Sequence, residues 1–293
     1  MLSCYIILDW AVRMVFSSEK QIEWPAMSFA TDFSLLMLTS DPVVAALGDR
    51  AGIDHIGLDF ETLGKRERQP DLKEWVSTHK VTDIPPVRKA LTRAKLFSRT
   101  EPLNPKIERQ IETLLDYGVQ SLMLPMFTSA ADVAKFVDFV AGRAYVSLLL
   151  ETPQAVVRIS DIVQVQGIDE ISIGLNDLHR SFGLTSHFEL LVSDMMRMLS
   201  ETVTAAGIRF GFGTLGRVRD TGLPIPSDLI YAQYPRLNGR SARIFRFFLG
   251  PNPRELDFDL EIRLLRERLD YWNDQTPEAW EEARQDLAKL FRN

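Results

Sequence analysis

From Phe33 onward, short apolar runs alternate with longer stretches whose apolar positions recur at helical spacing, and turn residues mark the junctions. The runs predict eight strands: Phe33–Leu38, His55–Phe60, Lys95–Arg99, Ser121–Pro125, Tyr145–Glu151, Glu170–Gly174, Arg209–Gly213 and Ala242–Arg246. Helical spacing predicts helices over Pro42–Arg50, Pro85–Ala94, Pro105–Tyr117, Ala130–Ala141, Gln154–Val163 and Phe188–Ala205. Runs such as Val146-Ser147-Leu148-Leu149-Leu150 suit parallel strands covered on both faces. Eight such units in series predict an α/β fold, a (β/α)8 TIM barrel, over residues 27–250.

Gly250-Pro251-Asn252-Pro253 then breaks the chain, and two charged helical segments follow, Glu255–Trp272 and Pro277–Arg292. Leu256, Leu260, Leu264 and Leu265 give the first an apolar face. Residues 251–293 therefore read as a helical extension that either closes the ring of its own barrel or crosses to a neighbouring subunit. Residues 1–26 are apolar to Phe16 and then unpatterned. Asp9 and Arg13 argue against a secretory signal, and the apolar part is shorter than the roughly 20 residues a membrane span needs. This segment reads as an extension, disordered, docked or the product of an upstream start; the rival reading is an amphipathic helix for a partner.

The 293 residues are 45% hydrophobic and 25% charged, which excludes intrinsic disorder. A net charge of −6 offers no general attraction to nucleic acid or an anionic membrane. The single cysteine, Cys4, cannot form an intramolecular disulfide or a thiolate cluster, so the expected location is cytoplasmic and any metal would sit on oxygen or imidazole. No G-x-G-x-x-G, Walker loop or G-x-S-x-G elbow occurs.

In a barrel of this kind, chemistry belongs at the carboxyl ends of the strands. Asp59 and Glu61, Arg99, Glu151 and Asp177 stand there. Glu151 follows three leucines, where a carboxylate needs a cation, a hydrogen bond or a partner. With Asp177 one βα step later it could form a hard-oxygen site for Mg²⁺ or Mn²⁺. On spacing alone an equally good reading pairs Glu151 with Arg99 and makes Asp177 a turn cap. Arg99 either holds a carboxylate or enolate oxygen through its fork or forms a structural salt bridge. Gly174 permits close approach of backbone to a substrate carboxylate, or simply makes a turn. Among the histidines, His55 reads as a core or edge residue, His79 as a solvated loop residue that could reach substrate, and His179 as the best placed for proton transfer or for orienting its loop. Lys65-Arg66-Glu67-Arg68 reads as a solvated loop that could also meet an anionic substrate.

Five stretches carry a resemblance: Ile56-Gly57-Leu58-Asp59-Phe60-Glu61, Leu114-Leu115-Asp116-Tyr117-Gly118, Leu122-Met123-Leu124-Pro125-Met126, Leu150-Glu151-Thr152, and Gly167 through Leu178 with its Ile173-Gly174-Leu175-Asn176-Asp177 core. In this order the chain resembles the HpcH/HpaI aldolase and citrate lyase family over roughly residues 55–185. The resemblance implies a barrel assembled as a homo-oligomer, a trimer or hexamer, whose last helix is often exchanged. It implies a divalent metal (Mg²⁺ or Mn²⁺, with Co²⁺ also in range) on Glu151 and Asp177, and Arg99 at the keto or enolate oxygen. Glu61 would orient metal-bound water, while backbone groups of Gly174, Leu175 and Asn176, with Asp59 alongside, would hold the substrate. The implied reaction makes or breaks a carbon–carbon bond between the enolate of a 2-oxo acid such as pyruvate and an aldehyde, which makes these small molecules the expected partners.

Two departures qualify that reading. Family aldolases often carry a histidine, coupled to an aspartate matching Asp116, where this chain has Thr62, so proton transfer would pass to metal-bound water, His179 or His79. The segment Thr128 to Val146 also lacks the Pro-Pro-Gly-Arg-rich loop of many pyruvate aldolases. Gly64-Lys65-x-Glu67-Arg68-Gln69 resembles a branch associated with surface polysaccharides, which brings sugar-derived aldehydes into view. The alternatives are cleavage of an acyl-thioester in the manner of citrate lyase, and a non-catalytic ligand-binding barrel.

Overall fold

The computed structural model describes residues 28–65, 77–213, 215–244 and 246–291. Eight parallel strands close on themselves in sequence order, from β1 to β8: Ser34–Leu38, His55–Asp59, Lys95–Arg99, Ser121–Leu124, Tyr145–Leu150, Glu170–Ile173, Arg209–Phe212 and Ser241–Ile244. The ring closes where Ser34 to Met37 pair in parallel with Ser241 to Ile244. All eight predicted strands are present within a residue or two of the predicted ends, and the (β/α)8 barrel stands. The expected extension over residues 1–26 lies outside the described residues.

Alternation along each strand separates two interiors. Outward residues such as Leu35, Ile56, Leu58, Leu96, Leu122, Leu148 and Ile171 join the large core beneath the helices. Inside the ring, Leu36, Phe97, Met123 and Leu149 form a separate apolar layer. Below that layer the interior is polar, with His55, Ser147, Glu170 and Ser172 around a space of about 10 Å³. The apolar layer is therefore a plug, and the mouth above it is the roomier end.

The outer helices follow the predicted pattern, with instructive breaks. They are α1 (Phe29–Asp32), α2 (Pro42–Ala51), α3 (Ile84–Ala90), α4 (Ile107–Asp116), α5 (Ala130–Val140), α6 (Pro153–Val157), α7 (Ile159–Ile162), α8 (Leu175–Ser181), α9 (Asp194–Ala205), α10 (Ser227–Tyr231), α11 (Gln233–Arg236), α12 (Arg246–Leu249), α13 (Phe258–Asn273) and α14 (Pro277–Lys289). The helix expected to reach Ala94 stops at Ala90 because the Asp49 carboxylate accepts the N–H groups of Thr92, Arg93 and Ala94. Those donors cannot then continue a helix. The helix expected over Phe188–Ala205 divides at Ser193, whose hydroxyl caps α9 by accepting the N–H of Met196. The segment expected over Gln154–Val163 likewise divides, at Arg158.

α13 packs against α1 and α2 of its own barrel. Its buried stripe runs through Phe258, Ile262, Leu265 and Leu269, with Leu260 and Leu264 only half-buried, so the apolar face is rotated from the leucine row read in the sequence. Arg266 fastens it, donating to the carbonyls of Ala30, Phe33 and Gly52. The first C-terminal helix thus lies against the opening helices of the same chain. Among the described residues no helix is long and apolar enough to cross a membrane.

The Asp49 clamp sets where β3 begins, and three backbone donors depend on one carboxylate. Asp49→Ala is expected to lower stability by about 2 kcal/mol, the cost of leaving the buried Ala94 N–H and two part-buried donors without their acceptor, measured by urea denaturation of the two proteins.

Candidate functional site at the mouth of the barrel

The carboxyl ends of the strands surround a cavity of about 220 Å³ whose wall includes Asp59, Arg99, Glu151, Gly174, Asp177 and Arg243. Glu151 follows the last residue of β5 and is only 2% exposed. One oxygen accepts the N–H of Met126 at 3.2 Å. Met126 itself adopts a φ of +57°, a conformation that costs energy for a bulky side chain. Gly174, after β6, covers the same carboxylate: a Cβ there would stand 2.6 Å from Glu151 Oε2. Only glycine leaves that space open.

Burial, first, and then the charges of Glu61 and Asp177 push the Glu151 carboxyl well above the ordinary carboxylate range, against the opposing pull of Arg99 and Arg243. No cation among the described residues lies within ion-pair distance of Glu151. The expected alternative of a Glu151–Arg99 salt bridge is therefore not the arrangement found. Asp177 sits in the first turn of α8 and lines the cavity with Leu175 and Asn176.

Arg99, at the end of β3, is instead held from the other side. Its Nε and Nη2 donate to the two oxygens of Asp59 at 2.8 and 2.6 Å, and Nη1 lies 3.2 Å from Glu61. Lys65 bridges the same two carboxylates at 3.3 Å each. Burial alone would raise the Asp59 carboxyl, but Arg99 and then Lys65 outweigh it and hold the group far below its usual range. Asp59 was expected at the substrate; its oxygens are engaged by Arg99 and Lys65, so it positions Arg99. Glu61 does the same from beneath, buried and outside the cavity wall. Lys65, read in the sequence as part of a solvated loop, is buried; Arg66, Glu67 and Arg68 lie outside the described residues.

The two acids Glu151 and Asp177 fit a divalent cation in three respects: both are hard oxygen donors, they line one cavity, and one is buried beside like charges that a cation would relieve. No group of three or more His, Cys, Asp or Glu among the described residues could hold a metal. Any ion here would complete its shell with water or substrate.

Comparison with known proteins sharpens the picture. Residues 76–218 match the model for HpcH/HpaI aldolase/citrate lyase. That stretch, just under half of the chain, is similar to the family. Solved structures similar in fold include the HpcH/HpaI aldolase from Desulfitobacterium hafniense DCB-2, at 15% identity and a TM-score of 0.56 over 72% of this chain and 85% of that one. Another is an HpcH/HpaI aldolase/citrate lyase family protein from Burkholderia cenocepacia J2315, at 17% identity and a TM-score of 0.57 over 72% and 87%. The citrate synthase SbnG gives 17% and 0.56 over 75% and 91%. At these identities the likeness concerns the fold. No curated protein matches the chain.

The HpcH/HpaI match takes in Arg99, Glu151, Gly174 and Asp177 and leaves Asp59, Glu61, Lys65 and Arg243 outside it. The proton-transfer candidates fare differently. Thr62 donates its hydroxyl to Glu101, which also accepts the N–H groups of Thr62 and Leu63. His179 does not reach the cavity, because its Nδ1–H donates back to the Leu175 carbonyl one helical turn earlier and its ring faces His187. Asp116 ends α4 on the exposed outer layer, away from the mouth of its own chain. Neither residue is placed by this fold to act on a substrate bound in its own barrel.

His79 lines the cavity. Its Nδ1 accepts the N–H of Asp59 at 2.9 Å, which leaves the ring proton on Nε2. Burial lowers its pKa, with Asp59 and Asp83 pulling the other way. With one nitrogen occupied and the ring neutral, His79 is a hydrogen-bond donor to the cavity. Sequence reasoning also passed over Arg243. Alternation within β8, where Ser241 and Arg243 face inward between Ala242 and Ile244, is the signal that could have found it.

Breaking the buried Asp59–Arg99 pair from one side leaves a stranded charge. Asp59→Asn is expected to cost about 3–5 kcal/mol, read as a lowered unfolding midpoint at neutral pH. Because the Asp59 pKa is depressed on folding, its contribution is complete above the unfolded value of about 3.9 and fades as pH falls toward the folded value. The gap between the two proteins should narrow accordingly in acid.

Proposed function

We propose that this chain is a divalent-metal-dependent aldolase or lyase that makes or breaks a carbon–carbon bond between a 2-oxo acid enolate and an aldehyde. The observation that carries the reading is Glu151, buried at a strand end, pressed by Glu61 and Asp177 and paired with no cation of the described residues. The similarity of residues 76–218 to the HpcH/HpaI aldolase/citrate lyase model supports the reaction class, aldolase or lyase.

A divalent ion on Glu151 and Asp177 would supply a Lewis acid for the keto oxygen of the 2-oxo acid. Arg99 has five N–H groups, three of them taken by Asp59 and Glu61, so two remain for an oxygen that gains negative charge as the enolate forms. The bidentate grip of Asp59 fixes the plane of that guanidinium before substrate arrives, so the donor is already oriented. His79, held on the backbone of Asp59, offers Nε2–H to the cavity as a neutral donor. In the cleavage direction the hydroxyl of the aldol loses a proton, the bond to the enolate carbon breaks with its electron pair passing to the enolate, and the aldehyde leaves. With Thr62 turned to Glu101 and His79 occupied at Nδ1, the proton passes to water in the cavity.

Deuterium exchange into the methyl group of pyruvate, with Mg²⁺ or Mn²⁺ added, tests enolate formation without knowledge of the aldehyde. Wild type should exchange only with metal, and exchange should vanish in Glu151→Gln and Asp177→Asn. Full exchange in the double carboxylate variant would refute the proposal. Arg99→Lys should slow exchange by about 10²–10³, the usual cost of removing an oriented donor. His179→Ala should stay within about threefold of wild type, since a ring turned back onto its own helix makes no contact with the cavity.

A further inference from the structure

Charge around the mouth divides unevenly. Asp59 and Glu61 are matched in place by Arg99 and Lys65. On the proposed function, Glu151 and Asp177 are matched by a divalent cation, which leaves that half of the cavity balanced. Across the mouth, β8 brings one more guanidinium. Arg243 lines both the mouth and the polar space below the apolar plug, and it feels Arg99 as well as Glu151 and Glu170. Among the described residues no carboxylate lies within ion-pair distance of it, and none of its side-chain nitrogens donates a hydrogen bond there.

The neighbouring strand makes room for this side chain. Gly213, just past β7, has no side chain where a Cβ would stand 3.1 Å from Arg243 Nε and 3.5 Å from Nη2. A guanidinium that stays charged while half-buried in the cavity wall, with no carboxylate of the described residues at ion-pair distance, is costly unless an anion meets it. The carboxylate of a simple 2-oxo acid does not fill that need, because on the proposed function it sits at the other wall with Gly174 and the metal-binding pair. What meets Arg243 must be a second anionic group carried by the same substrate.

We propose that Arg243 binds a second carboxylate, so the site takes a dicarboxylic 2-oxo acid in preference to pyruvate. This rests on the proposed function for the orientation of the substrate, and it names the class of 2-oxo acid used. Arg243 acts on specificity: its fork fits a carboxylate bidentately from the β8 side, while Arg99 serves the oxygen at which charge develops. The residue lies outside the segment that matches the family.

Calorimetric titration with Mg²⁺ present, using pyruvate, oxaloacetate and 2-oxoglutarate, tests the idea through the ratio of affinities. Wild type should bind the better dicarboxylate at least tenfold more tightly than pyruvate. Arg243→Met, similar in length and uncharged, should lower that ratio by more than threefold, with a cooperative melt confirming the fold. If Arg243→Met does not fold, Arg243→Lys serves in its place, and loss of the fork should lower the ratio by the same criterion. A wild-type ratio below tenfold, or a ratio in the folded variant within threefold of wild type, overturns the proposal. Binding requires no turnover, so a chain that shows the Arg243-dependent ratio yet exchanges the C3 protons of neither pyruvate nor the better dicarboxylate would refute the enolate reading while the second-carboxylate contact stands.

Discussion

A carboxylate closed off from water at the end of β5, with two further acids acting on it, is the constraint around which the mouth of this barrel is arranged. Left to itself, Glu151 would hold its proton, since burial and like charge both oppose ionisation. Packing keeps it there nonetheless. Leu148 and Leu150 anchor β5 in the outer core, Leu149 enters the inner plug, and the Met126 backbone gives the carboxylate one N–H. Structure that keeps an acid buried in a cavity beside like charges, against electrostatic preference, is characteristic of sites whose missing partner is a ligand.

The remaining charges make sense against that centre. Asp59, Glu61, Lys65 and Arg99 form a buried network in which each member has at least one opposite partner. Networks of this kind add little net stability compared with well-packed apolar groups, because desolvation offsets the attraction. Their value here is positional. A guanidinium gripped at two nitrogens by one carboxylate has little freedom to rotate, and a donor already aimed at a developing charge needs no reorganisation during reaction. The network explains why Arg99 does not collapse onto Glu151, which would neutralise the very group the cavity keeps available.

The barrel was legible in the sequence because parallel strands buried on both faces read as short apolar runs, and each strand-end polar residue then stood out against its run. Glu151 after Leu148-Leu149-Leu150 and Asp177 after Ile173-Gly174 were visible for that reason. Lys65 was hidden by its neighbours. Within Lys65-Arg66-Glu67-Arg68 nothing local distinguishes the one lysine that turns inward to Asp59 and Glu61, because that pairing is made through space. Arg243 was hidden differently: it stands inside the last strand, where an inward arginine shortens the apolar run and reads as part of a strand end. His179 stood out through its two-residue spacing from Asp177, but on a helix that spacing carries the ring about 200° around the axis, and it meets the Leu175 carbonyl instead.

The polar floor of the barrel gives the mouth a further property. Leu36, Phe97, Met123 and Leu149 separate it from the space around His55 and Glu170. Arg243 lines both compartments, so its guanidinium has a negative neighbour below in Glu170 as well as one above in Glu151. Burial raises the Glu170 carboxyl while Arg209 and Arg243 lower it, so its hold on Arg243 is partial. An arginine wholly satisfied from below would be a structural strut, and one without any support would be too costly to bury. Placed between a floor that only partly compensates it and a mouth that opens to solvent, Arg243 can be retained in the fold and still respond to an anion arriving from above.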